Sequence, residues 1–125
     1  MRFVRVVCIV LALALSCSVA RAACTRNESG VFEDIPCASE AFKFADSELK
    51  AIYKHLMQSL DAPGKKALLQ SQRSWLKFLD ANADFIYAIE GDGADGRLVV
   101  INSREEYTRL RSKELQGWKI HPSPR

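Results

Sequence analysis

Two apolar stripes, each recurring at spacings of three and four and separated by the breaker Asp61-Ala62-Pro63-Gly64, constrain this chain more than any other feature. In the first, Phe42, Ala45, Leu49, Ile52, Leu56 and Leu60 share one side of a helix, widened by Tyr53 and Met57. This predicts a helix over about 39–60. In the second, Leu68, Gln72, Trp75, Leu76, Leu79, Ala83 and Ile86 define the inward side of a helix over about 63–89. Asp61 is placed to cap the second helix, and proline is tolerated in a first turn. So short a connection between two long helices implies an antiparallel hairpin. A turn centred between Ala62 and Pro63 pairs Phe42 with Ala83, Leu49 with Leu76 and Leu56 with Leu69, and sets Tyr53 beside Gln72. In that register Trp75 is a core anchor, and Arg73 lies at the edge of the seam as a structural clamp.

The N-terminus sets the compartment. Arg2 and Arg5 precede an apolar run from Val6 to Leu15, and Ala20-Arg21-Ala22 supplies small residues where a signal peptidase reads. Residues 1–22 are therefore expected to be a removable secretory signal, too short to be a comfortable membrane span, and residues 23–125 one mature domain without a transmembrane span. A competing lipoprotein reading would acylate Cys17, but Ala14-Leu15-Ser16-Cys17 lacks the usual large aliphatic residue three positions before the cysteine. Periplasmic or secreted bacterial localisation follows from the preferred reading.

Cleavage changes two inferences. Removing Arg2, Arg5 and Arg21 from 18 basic residues leaves 15 against 15 acidic ones, so the mature domain is near neutral and gives no support to nucleic-acid binding. Of four cysteines only Cys24 and Cys37 survive, and in an oxidising compartment they are most simply a disulfide tethering the segment before the first helix.

After Ile89 comes EGDGADGR, rich in glycine and acid. Counted from Asp92, position twelve of a calcium loop falls on Ser103, which cannot supply the bidentate carboxylate, so a turn is expected rather than a metal site. Leu98 to Ile101 reads equally as a short strand or as the start of another helix. Ser103-Arg104-Glu105-Glu106 has capping-box form, which allows a third helix to begin there and run to about Gly117. Tyr107, Leu110 and Leu115 would pack on the hairpin, Glu105 and Arg109 would pair across one turn, and the tail KIHPSPR would fray. The fold class is thus all-α: an antiparallel helical hairpin with a third C-terminal helix packed on it and a disulfide-tethered N-terminal segment.

No enzyme is expected. His55 sits within a helix and His121 in the tail, each without a second ligand-like residue nearby, and no nucleophile elbow, phosphate loop or dinucleotide fingerprint occurs. Glu48 and Asp80 read as ordinary carboxylates on solvated helix faces. No cofactor is implied.

Two segments resemble a known family. Ala45-Asp46-Ser47-Glu48-Leu49-Lys50-Ala51-Ile52-Tyr53 is similar to its A-D-x-E-L-N-x-x-Y motif, and Gln72-Arg73-Ser74-Trp75-Leu76-Lys77-Phe78-Leu79-Asp80-Ala81 to its Q-R-x-W-I-x-F-R-D-A motif. Thr108, Arg111 and Leu115 fit its T-x-x-R-x-x-x-L ending. The resemblance is to the LprI-type lysozyme inhibitor N-terminal domain family of small exported bacterial proteins, and it implies motif positions at Asp46, Glu48, Tyr53, Gln72, Arg73, Trp75, Asp80, Thr108 and Arg111. Ala83 stands where many members carry a cysteine whose partner lies near Arg104, so a second disulfide is missing at both ends; Lys50 and Leu79 replace the family's asparagine and second arginine. The implied function is a binding protein that blocks a lysozyme by protein–protein contact, with the acidic loop of Glu90, Asp92 and Asp95 as the binding candidate by composition. The rival reading is an envelope interaction or stress protein, an immunity-like partner without lysozyme affinity.

Overall fold

The computed structural model describes residues 24–118. The expected signal segment with Cys17, and the tail with His121, lie outside the described residues. Three helices follow a disulfide-tethered segment: α1 (Ile35–Ser59), α2 (Ala62–Glu90) and α3 (Ala94–Gly117). The Cys24–Cys37 disulfide closes that segment onto the first turn of α1, with the two Cα atoms 5.4 Å apart.

Helix α1 begins earlier than its stripe alone indicates. The Asp34 carboxylate accepts the Cys37 backbone N–H at 2.8 Å, and Pro36 sits in the first turn, where no N–H is needed. Asp61 caps α2 as expected, accepting the Gly64 N–H at 2.9 Å. The four residues Leu98 to Ile101 are helical, because α3 starts at Ala94, about two and a half turns before the capping box at Ser103. Ser103 is consequently mid-helix, and its hydroxyl oxygen accepts from the Asn82 amide at 2.9 Å instead of capping.

Helix α3 lies against both members of the hairpin. Phe32 meets Asn102 near the start of α1, and Leu49 and Leu56 meet Leu115 near its end, so α1 and α3 run parallel. Asn82 reaches Ser103 and Ser71 reaches Arg111, so α2 runs antiparallel to both. The closest helix pair is α1 with α3, then α2 with α3, whereas the α1 and α2 backbones make few close approaches. Two of the four buried residues of α1 are alanines, Ala38 and Ala45, which lets the α3 backbone come near.

This corrects the register read from the stripes. Leu49 is buried, but Leu76 is 48 % exposed and Leu69 also faces solvent, because the surface opposite Leu49 is filled by Leu115, 3 % exposed. Leu68 and Trp75, on a different edge of α2, are the side chains packed against the Leu49–Leu56–Leu115 cluster, which keeps Trp75 as a core group. Leu110 does not join the packing and is half exposed, while Tyr107 meets Phe78 edge-on with ring centroids 5.0 Å apart.

The two leucines separate these seams experimentally. Leu115→Ala is expected to lower the unfolding free energy by about 2–5 kcal/mol, as buried leucine truncations do, and Leu76→Ala by less than about 1 kcal/mol. Urea denaturation measures both; equal losses would place the seam back between α1 and α2.

Candidate functional site

The segment before α1 is a strap laid along α3. Asn27 folds it locally: its Oδ1 accepts from the N–H groups of Ser29 and Val31 at 3.0 and 3.1 Å. Asn102 then holds it in place, accepting the Phe32 N–H at 2.9 Å and donating back to the Phe32 carbonyl at 2.9 Å. A side-chain amide thus does what a neighbouring strand would do for that backbone, and Phe32 is buried beneath it.

Next to this clamp lies an ion-pair cluster. The Glu105 side chain is 3 % exposed, and its Oε1 accepts from Arg26 Nη2 at 2.7 Å and from Arg109 Nε at 2.8 Å, the latter being the expected pair across one turn. Arg26 also donates to the Gly30 carbonyl at 2.7 Å and stacks 4.4 Å from the centre of the Phe32 ring. Glu105 Oε2 and the buried hydroxyls of Thr108 and Ser112 have no hydrogen-bond partner among the described residues. Glu105 therefore fastens the strap to α3.

The acidic loop sits at the same end of the bundle. Gly91 caps α2 at φ 78°, and α3 starts so close that a Cβ on Gly96 would lie 1.8 Å from the Gly91 carbonyl oxygen. Two glycines thus make a tight, fixed turn rather than a protruding flexible one. Glu90, Asp92 and Asp95 are all exposed on it, and Asp95 lies in the first turn of α3, where the helix dipole favours an acid.

Topology gathers charge at this end. Residues 24–44 and 80–106, which hold the start of α1, the end of α2 and the start of α3, carry eleven acidic side chains against four basic, a formal −7. Residues 45–79 and 107–118 carry four acidic against nine basic, a formal +5. A near-neutral chain folds into a polarised body.

The motif residues do not converge on one point. Gln72 accepts from Arg111 Nε at 3.3 Å rather than from Tyr53, and Arg111, 6 % exposed, also donates to Ser71 Oγ at 2.7 Å and to Glu114 at 2.8 Å. Arg111 is thus the guanidinium clamp between α2 and α3. Arg73 is exposed and makes no hydrogen bond or ion pair among the described residues, because its position turns away from α3. Asp80 pairs with Arg104 at 2.9 Å, Asp46 with Lys50 at 2.6 Å, Thr108 is buried, and Tyr53 is half-buried. Glu48 and His55 are exposed. Among the described residues no three His, Cys, Asp or Glu side chains are placed to hold a metal, and no helix is long and apolar enough to cross a membrane.

Arg26 and Asn102 were not legible as clamps. Asn102 lies mid-helix with no capping pattern, and Arg26 contacts Glu105 across 79 residues. Because both guanidiniums share one buried carboxylate, Arg26→Ala or Arg109→Ala alone leaves Glu105 compensated. The double substitution leaves a buried charge unpaired and is expected to cost about 3–5 kcal/mol, more than the two single losses added. Chemical denaturation of the four-protein cycle measures this, and strictly additive small losses would contradict it.

Comparison with protein families gives a match over most of the chain. The family described as lysozyme inhibitor LprI matches residues 24–115, from the first cysteine of the strap to the buried Leu115 of α3. No curated protein and no solved structure matches significantly. The match spans the strap, the turn and all three helices, and on that basis the chain belongs to the lysozyme inhibitor LprI family.

Proposed function

We propose that this protein is an exported bacterial inhibitor that binds a lysozyme and blocks its cleft by protein–protein contact. Family membership supports the class of function, and the acidic end of the bundle is the observation on this chain that carries it. A lysozyme of basic surface would be drawn to that end, with the fixed Gly91 turn presenting Glu90, Asp92 and Asp95 first. The protein would act by occupancy and not by catalysis, consistent with a family described as inhibitors. Residues 1–22 would direct export and be removed, leaving residues 23–125 in the periplasm or outside the cell, where a disulfide persists.

Purified mature protein is expected to slow lysis of cell walls by a basic lysozyme and to co-elute with it. The triple substitution Glu90→Gln, Asp92→Asn, Asp95→Asn should slow association about tenfold at low ionic strength, with the difference fading near 0.5 M salt as the charges are screened. Lysis unaffected across several lysozymes, with a different envelope protein recovered by pull-down, would replace the inhibitor reading with that of an interaction or immunity-like partner.

A further inference from the structure

We infer that the groove between the strap and the first turns of α3 is the socket for an apolar side chain flanked by lysine or arginine, presented by a basic protein partner. This rests on the inhibitor reading above and names the contact that would hold the partner once charge has brought it in.

The groove encloses about 260 Å3, with Val31 and Phe32 of the strap on one wall and Leu98 and Val99 of α3 on the other. Asn102, Ser103 and Glu106 form its polar edge. Val31 is 36 % and Val99 41 % exposed, so both apolar walls stay partly uncovered. Its floor is rigid. Phe32 is locked by two hydrogen bonds with Asn102, and the disulfide ties the strap to α1, so a partner would not have to order the groove on binding.

Charge says what fits it. On α3, Asp95 precedes Val99 by four residues and Glu106 follows it by seven, so by helical spacing the three share a face and acids bracket the apolar wall. The groove lies wholly in the half of formal charge −7. Exposed acids raise the association rate more than they lengthen a complex's lifetime, whereas a desolvated apolar anchor does the reverse. A larger apolar groove of about 540 Å3 opens at the other end of α1 and α3, between Ile52, Leu56, Leu115 and Trp118. It belongs to the half of charge +5 and would repel the same partner.

Mature protein and its variants should be titrated calorimetrically against a panel of purified basic and acidic lysozymes. Val99→Arg is expected to weaken binding to a basic lysozyme at least tenfold with helix content and melting unchanged. Val31→Arg, on the strap, does the same independently of α3 should the first variant fold poorly, and Trp118→Ala binds as the unaltered protein does. Unchanged binding by both arginine variants overturns the groove while leaving the inhibitor reading intact. Loss of binding in Trp118→Ala alone moves the contact to the opposite end and likewise overturns it. If the unaltered protein binds no lysozyme, the inhibitor reading falls and this occupant falls with it.

Discussion

Helix α3 buries groups on two adjoining faces, and the arrangement of the other elements follows from that double contact. One face takes Leu49 and Leu56 of α1 onto Leu115; the next carries Arg111, which reaches Ser71 and Gln72 of α2. Between them the buried surface is strongly polar: Asn102, Glu105, Thr108, Arg111 and Ser112 are all buried on this one helix. Buried polar groups contribute little net stability, and a carboxylate taken from water is costly unless it is paired. What they supply is position. Asn102 fits one backbone segment, Glu105 accepts two particular guanidiniums, and the apolar cluster at the far end supplies the favourable burial that lets these groups leave water.

That division of labour bears on function. The strap could not be held by hydrophobic burial alone, since among the described residues Phe32 is the one apolar side chain it buries. Its attachment instead uses hydrogen bonds and ion pairs at the acidic end, together with a covalent tie to α1. The outcome is an irregular surface beside a tight turn, both fixed to rigid helices, which is how binding surfaces are commonly built. The parallel run of α1 and α3 places two helix N-termini at this end, and their dipoles offset part of the local acidic repulsion.

The helical class, the turn at Asp61 and the disulfide were readable because each has a local cause: a period, a capping side chain, a pair of cysteines left by the expected removal of residues 1–22. The pairing of helices was not. The stripes of α1 and α2 can be matched to each other on paper, and the match fails because α3 competes for the same surface, as exposed Leu76 and buried Leu115 show together. Helix α3 hides its role, since its buried face is written in polar residues that a hydrophobic pattern does not register. Arg73 and Arg111 show the same limit. Both are arginines in matching motifs, and only the neighbour across the seam decides which is the clamp. The acidic loop was visible in composition, but its coincidence with the strap and with the groove at Val99 exists only in three dimensions.

Amide hydrogen exchange under native conditions tests most directly whether α3 is the helix on which the bundle is assembled. Amides of α3 around residues 102–115 should be the slowest to exchange, matching α1 around 45–56 and opening only with global unfolding, while the ends of α2, with exposed Leu69, Phe85 and Ile89, exchange by local opening. Protection greatest in α1 and α2 together, with α3 exchanging first, would contradict the account.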